Sequence, residues 1–161
     1  MTTGARTATT YGALHAFFPA VLALGGDLDR ARRLQESGYR MWTLAGVEPE
    51  ELDYSTMTIT GESYQLRPEF AESAYYLFHY TKDPRYQEMG QTVLDSLVAR
   101  CRTDYGYTTL RSVKTWEKGD RMHSFLLAET FKYLYLLFDP SAVDFDAVVF
   151  NTEAHPLRRT W

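Results

Sequence analysis

The chain has 161 residues, of which 45% are hydrophobic and 15% aromatic, and its formal net charge is −4. This length and composition predict one folded domain with a hydrophobic core and exclude an intrinsically disordered chain. The acidic balance, without a lysine or arginine run, argues against nucleic acid as a partner, and no apolar stretch is long enough for membrane insertion. A single cysteine, Cys101, excludes an internal disulfide and a zinc site of paired cysteines, and we expect it to be buried on a helix.

The N-terminal part predicts two helices. Residues 1–10 carry no signal-peptide pattern, and we expect them to form a disordered leader. The segment from Tyr11 to Leu24 is apolar on most faces and predicts a helix that ends at two glycines. An amphipathic helix is predicted from Asp27 to Leu44, with Asp27 as its cap.

The rest of the chain alternates between apolar and amphipathic segments. It predicts, in order, a loop at 47–66 with a short strand near 56–60, helices at 68–80 and 84–101, a strand or hairpin at 105–113, a very apolar helix from 120 or 124 to 138, and a short buried strand at 147–150. Helices that are apolar on nearly all sides suit an inner layer, and amphipathic helices suit an outer layer. The sequence therefore predicts an all-α fold built from helix pairs.

Two glutamates stand at the start of the predicted helix at 68–80, within the stretch LRPEFAES at 66–73. Glu69 and Glu72 are three residues apart, so their side chains share one face of the helix. The positive end of the helix dipole and the nearby Arg67 favour an ionised carboxylate, which could accept a proton from water. Acidic residues are also common in a first helical turn for structural reasons, so this pair alone leaves both interpretations open.

A third glutamate, Glu129, lies one turn after Phe125 in an otherwise apolar predicted helix. A buried carboxylate without a partner is strongly unfavourable. A sugar hydroxyl, a bound cation or an arginine would serve as its partner, and Arg67 is the candidate within the chain.

The polar triplet Asn151-Thr152-Glu153 follows the predicted apolar strand, so we expect it in the interior or on the floor of a cavity. The hydroxyl and carbonyl of one threonine can chelate a hard cation, and carboxylates can add direct or water-mediated ligands. This donor set fits calcium better than zinc. The alternative interpretation is an Asx or Ser/Thr turn.

Three stretches together resemble the signature blocks of the class I α-mannosidases, glycoside hydrolase family 47. These blocks are LRPEFAES at 66–73, MHSFLLAETFKYLYLLF at 122–138 and VFNTEAHPL at 149–157. They occur in the family's order, and the resemblance extends from about Tyr11 to Leu157. It implies a partial (αα)₇ barrel of inner and outer helix pairs, with a short β-hairpin and a C-terminal strand.

The resemblance also implies a function: calcium-dependent, inverting hydrolysis of terminal α-1,2-linked mannose from oligomannose glycans or glycoproteins. In the matching motifs Glu69 corresponds to the general base. The corresponding substrate contacts are Arg67, Phe125 and Glu129. The Ca²⁺ ligands would be Thr152 directly, and Glu72 and Glu153 through water.

The family's catalytic domain is much longer than this chain, and its general acid lies upstream of the matching blocks. We therefore expect residues 11–161 to form the C-terminal portion of such a barrel. We also expect the isolated chain to bind calcium weakly, to associate through exposed barrel surface, and to have little or no hydrolytic activity. A non-catalytic glycan-binding or structural remnant is the alternative. The resemblance further implies relatives that act in the secretory pathway or outside the cytoplasm.

Overall fold

The first predicted helix is divided into three short elements. A computed structural model describes residues 8–160, and in it Thr10–Gly12 forms strand β1, Ala13–Phe17 a 3₁₀ turn and Phe18–Leu24 helix α1. The α-helix begins next to Pro19, which fits the first turn because it lacks an N–H. Most of the predicted leader lies outside the described residues, and its last residue, Thr10, belongs to β1.

The second predicted helix is confirmed as α2, Leu28–Ala45. The Asp27 side chain accepts a hydrogen bond from Arg30 N at 3.2 Å, as a cap should. Gly46 ends the helix with a φ of 75°, a left-handed conformation that favours glycine.

The predicted loop at 47–66 contains two strands rather than one. Strand β2, Glu51–Asp53, pairs antiparallel with β1 on one side and with β3, Thr58–Gly61, on the other. The sequence did not predict β2 because three residues with two acidic side chains have little strand propensity. The pairing with β1, more than 35 residues away, stabilises this strand.

The central helices agree with prediction. They are α3, Glu69–Thr81, and α4, Arg85–Cys101. Two small hairpins follow: β4, Arg102–Thr103, with β5, Gly106–Tyr107; and β6, Leu110–Ser112, with β7, Glu117–Lys118. Cys101 is the last residue of α4 and is fully buried, as predicted.

The C-terminal part contains one interrupted helix and one hairpin. Leu126–Thr130 forms a π-helical turn that leads into α5, Phe131–Phe138, so the helix begins later than Asp120. Strand β8, Val148–Phe150, pairs with β9, Pro156–Arg158. The prediction that β8 is buried was wrong. Val149 is 46% exposed, because only one face of the two-stranded β8–β9 hairpin packs against the rest of the chain.

Helix α3 is the central element and packs against α1, α2, α4 and α5. Six of its 13 residues are buried, compared with five of the 18 residues of α2. This difference agrees with the predicted inner and outer helices. No helix within residues 8–160 combines the length and the apolar character needed to cross a bilayer.

Gly90 marks the closest approach of α4 to α5, and its substitution is expected to destabilise the fold. A Cβ at this position would overlap Leu137 Cδ2 and contact Leu134 Cδ2 at 3.5 Å. Leu137 is fully buried, so it cannot move aside into solvent. We expect Gly90→Val to lower the free energy of unfolding by about 1–3 kcal/mol in urea titrations.

The matched control is Gln91→Val, which introduces the same side chain on the exposed face of α4. It is expected to change stability by only about 0.5 kcal/mol. Equal losses for the two variants would contradict close packing at Gly90 as the cause.

Candidate active site

The candidate site begins at the N-terminus of α3. Glu69 and Glu72 occupy its first turn, as predicted, directly after Pro68. Both side chains are only partly exposed, and Glu69 Oε2 is buried without a hydrogen-bond partner in the described part of the chain. A carboxylate in this position faces the positive end of the helix dipole.

Arg67 pairs with Glu50, which sequence analysis did not identify. Arg67 Nε and Nη2 donate to Glu50 Oε1 and Oε2, each at 2.9 Å, and both side chains are mostly buried. Such a bidentate pair is a strong, charge-assisted interaction. Arg67 was the candidate partner for Glu129 within the chain, but in the structure Arg67 pairs with Glu50 instead.

This pairing changes the expected electrostatics of Glu69. Burial raises the pKa of Glu69, and the charge of Glu50 raises it further, while a backbone hydrogen bond and the Arg67 charge lower it. The net direction is upward. Burial, the largest effect, therefore outweighs the backbone hydrogen bond and the Arg67 charge that favour the ionised form, and the second carboxylate adds a smaller effect in the same direction as burial.

Glu72 points toward the helix that carries Glu129. Tyr133 OH donates to Glu72 Oε1 at 3.3 Å. Burial, which outweighs this hydrogen bond, together with the charge of Glu69 raises the pKa of Glu72 to about 7. Glu72 is thus a carboxyl group that titrates near neutral pH.

The π-helical turn carries Glu129 toward the same region. Phe131 N donates to Leu126 O, a bond across five residues that widens the helix. Burial raises the pKa of Glu129 to about 7, and the charges of Glu153, Glu69 and Glu72 contribute in the same direction. Four carboxyl groups from three distant segments therefore act on one another.

Hydrogen bonds from the 126–138 helix fix the other two segments. Thr130 Oγ1 donates to Leu66 O at 2.8 Å, and Lys132 Nζ donates to Ala154 O at 2.9 Å. Both acceptors are buried residues with left-handed backbone, at φ values of 64° and 55°. Non-glycine residues adopt this conformation at a cost, so the surrounding contacts hold the backbone in place.

The triplet 151–153 forms the exposed turn of the β8–β9 hairpin, so the predicted interior position was wrong, and the floor of a cavity stays a prediction. Asn151 Oδ1 accepts hydrogen bonds from Glu153 N at 3.0 Å and from His155 N at 2.9 Å. This is the Asx turn that was the alternative interpretation. Thr152 and Glu153 are both exposed, yet Glu153 lies close enough to raise the pKa of Glu129.

Phe125 is half-buried, and its ring packs against a histidine in a contact that the sequence did not indicate. Its ring stacks on His123 with centroids 4.8 Å apart and an interplanar angle of 12°. His123 Nε2 lies 3.3 Å from Gln65 Oε1. The sequence did not predict this contact, because residues two positions apart do not normally meet on a helix.

Glu48 is a second residue that sequence analysis missed. It is almost fully buried, and burial followed by the charge of Glu69 raises the pKa of Glu48 well above its ordinary value. Its position in a predicted loop gave no indication of burial.

The donors that these segments offer are carboxylate, hydroxyl and carbonyl oxygens, the ligands that hard cations prefer. Within residues 8–160, no three His, Cys, Asp or Glu side chains lie where they could jointly hold a metal ion. A cation in this region would therefore depend on a ligand of another kind, such as Thr152.

The fold has a close counterpart of known structure. The chain is similar to the alpha-1,2-mannosidase from Trichoderma reesei, with a TM-score of 0.83 and 29% sequence identity over 95% of this chain and 40% of that chain. This similarity confirms the prediction of a partial (αα)₇ barrel.

Sequence comparisons also find alpha-mannosidases as relatives. Alpha-mannosidase I MNS5 of Arabidopsis thaliana is 42% identical over 147 residues, which are 90% of this chain and 26% of that protein. The human ER degradation-enhancing alpha-mannosidase-like protein 2 is 36% identical over 169 residues, covering 91% of this chain and 29% of that protein. The chain thus spans little more than a quarter of the length of these relatives. The model of glycosyl hydrolase family 47 matches residues 1–159, and the chain belongs to this family of class I alpha-mannosidases.

Proposed function

We propose that this region acts in the hydrolysis of terminal α-1,2-linked mannose from oligomannose glycans or glycoproteins, with inversion at the anomeric carbon. The observation that carries the proposal is the convergence of Glu69, Glu72, Glu129 and Glu153 from three segments of the chain. The Trichoderma reesei relative is an alpha-1,2-mannosidase, which supports the linkage.

Glu69 is the proposed base. In an inverting hydrolase a carboxylate takes a proton from water as that water attacks the anomeric carbon from the face opposite the leaving group. A second carboxyl group protonates the departing oxygen, and none of the residues assigned above has that role. The raised pKa of Glu69 makes it a stronger base once ionised.

Three side chains are proposed to bind the sugar. Arg67 uses Nε and Nη2 for Glu50, which leaves Nη1 to donate to a mannose hydroxyl. Phe125, held by its stack on His123, offers an apolar face to the sugar ring. Glu129, which is partly exposed, accepts hydrogen bonds from sugar hydroxyls.

The oxygen donors and the excess of negative charge fit a calcium ion. Thr152 would bind the ion directly, and Glu72 and Glu153 would bind through water. Calcium at this place would orient the sugar hydroxyls. Burial and then repulsion from the other glutamates raise the pKa of Glu129, and a bound cation would relieve this repulsion.

Hydrolysis is tested with α-1,2-mannobiose on this region completed by the upstream part of a family 47 catalytic domain, which supplies the general acid; the isolated chain is expected to have little or no activity. We expect release of mannose that is initially the β-anomer by NMR, and loss of the reaction when calcium is chelated. Calorimetry with the same disaccharide separates the alternative: binding without turnover would contradict hydrolysis and assign glycan binding alone. Neither binding nor turnover would contradict both proposals.

Calcium is expected to raise the melting temperature. At a calcium concentration about 100 times Kd, stabilisation is about 2.7 kcal/mol, which corresponds to roughly 5–10 °C for a chain of this size. Thr152→Ala should remove most of this shift.

The control is Thr56→Ala, which changes another exposed threonine in an Asx turn, where Thr56 N donates to Asp53 Oδ1. This variant should retain the full calcium shift. An equal shift in wild type and Thr152→Ala would remove Thr152 as a ligand.

A further inference from the structure

Glu48 is a buried carboxyl group that the proposed hydrolysis does not use. The residue is 2% exposed, and neither Oε1 nor Oε2 has a hydrogen-bond partner within residues 8–160. It lies between the buried residues Val47 and Pro49, in the segment that leads into β2. An ionised carboxylate in such a place is strongly unfavourable unless it is paired.

The region around Glu48 contains more carboxyl groups than cationic side chains. Three carboxyl groups, on Glu48, Glu50 and Glu69, share the influence of the Arg67 guanidinium. Glu50 takes both of the Arg67 hydrogen bonds described above. Neighbouring carboxylates do not ionise independently, so ionisation of one of the remaining two disfavours ionisation of the other.

Two buried tyrosines complete this region. Tyr11 OH and Tyr64 OH are buried without hydrogen-bond partners in the described chain, as is Glu69 Oε2. Burial is the main effect that raises the pKa of Tyr11 and of Tyr64, and the charges of Glu48 and Glu69 add to it. The two Arg67–Glu50 hydrogen bonds join the segment of Glu48 to the N-terminus of α3, so Glu48 and Glu69 each lie two residues from this ion pair. Buried polar groups of this kind normally hydrogen-bond to one another or to an enclosed water.

We infer that Glu48 is a positioning residue for Glu69: a neutral carboxylic acid that donates a hydrogen bond to Glu69, directly or through one water molecule. The depth of burial decides which group holds the proton, because Glu69 is partly exposed and Glu48 is not. A donor stabilises the ionised form of its acceptor. Glu48 thereby keeps Glu69 ionised and oriented, and only the role of Glu69 as a base rests on the proposed function.

The upward direction of the Glu48 pKa agrees with this assignment. Burial has the largest effect, the charges of Glu69 and Glu50 add to it, and Arg67 opposes it. Since Glu69 ionises first, it is the charge of Glu69 that acts on Glu48.

NMR titration of ¹³C-labelled glutamate carboxyl groups tests the inference without any need for activity. We expect Glu48 to remain protonated at neutral pH. Glu48→Leu should raise the pKa of Glu69 by about one pH unit, because the donor is lost. Glu48→Gln keeps an N–H donor and should leave the pKa of Glu69 close to that of wild type. The control is Glu51→Gln, at an exposed position of β2, which should also leave the pKa of Glu69 unchanged.

The pH dependence of stability is a second test, and it does not require that the Glu48→Leu variant folds. The folded state holds a proton on Glu48 that the unfolded chain releases above the ordinary pKa of 4.5, so stability falls as pH rises above that value. Glu48→Gln removes this contribution, and we expect a shallower loss of melting temperature between about pH 5 and pH 8.

Three outcomes would overturn the inference. They are an ionised Glu48 at neutral pH, a Glu69 pKa that is the same in wild type and Glu48→Leu, and a pH dependence of stability that is the same in wild type and Glu48→Gln. Lack of hydrolysis, with these titrations as expected, would contradict the proposed function and leave the hydrogen bond between Glu48 and Glu69 established.

Discussion

In the completed catalytic domain, Glu69→Gln is expected to lower kcat for α-1,2-mannobiose hydrolysis by about 10²–10⁴-fold, the usual contribution of a general base. Glutamine has nearly the same shape but cannot accept the proton of the attacking water. KM is expected to change little, because the proposed sugar contacts come from Arg67, Phe125 and Glu129. Steady-state kinetics of the two proteins measure both effects.

The matched control is Glu88→Gln, which removes a carboxylate from the first turn of α4, where its side chain is 69% exposed. Its kcat should equal that of wild type. Undiminished hydrolysis by Glu69→Gln would remove Glu69 as the base. A decrease in both variants would indicate a general effect of charge at a helix N-terminus, the alternative that the sequence left open.

The glutamates of the site were predictable because each lies in a contiguous sequence block with a polar residue in an apolar setting. For Glu69, Glu72 and Glu129 this signal alone left a structural interpretation open, and the family resemblance supplied their predicted roles. The contacts that determine their electrostatics were not predictable. Arg67 pairs with Glu50, 17 residues earlier, and the periodicity of the intervening loop carries no information about that pairing.

The C-terminal hairpin shows a second limit of sequence patterns. A run of four apolar residues at 147–150 predicted a strand, and the strand is present. Burial was predicted from the same run and was wrong. Burial depends on what covers each face of a strand, and β8 is covered on one face only, so its periodicity did not determine the environment of Thr152.

The division into inner and outer helices was predictable for a different reason. Amphipathic periodicity reports directly on how many sides of a helix are covered, and α2 and α3 differ in the way their sequences indicate. The π-helical turn at Leu126–Thr130 left no such pattern. The segment is apolar on nearly all sides, so the shift of helical face that one wide turn introduces does not show in its pattern.

Trp42→Ala is expected to lower the free energy of unfolding by about 3–5 kcal/mol. Trp42 is fully buried on α2, with its ring centroid 5.7 Å from that of Tyr64 and 5.6 Å from that of Phe70. Its Nε1 donates to Ser96 Oγ on α4 at 3.4 Å. Truncation would therefore open a cavity between α2, α3 and α4, next to the segment that carries Glu69. Urea unfolding followed by circular dichroism measures the loss.

Trp116→Ala is the matched control, because Trp116 is half-buried and its ring contacts the Arg100 guanidinium at 4.0 Å. We expect this variant to cost only about 1–2 kcal/mol, from the lost cation–π contact and the smaller buried area. Similar losses for the two tryptophans would contradict the placement of Trp42 at the centre of the core. A loss below about 1 kcal/mol for Trp42→Ala would show that α2 does not depend on this contact to hold α3.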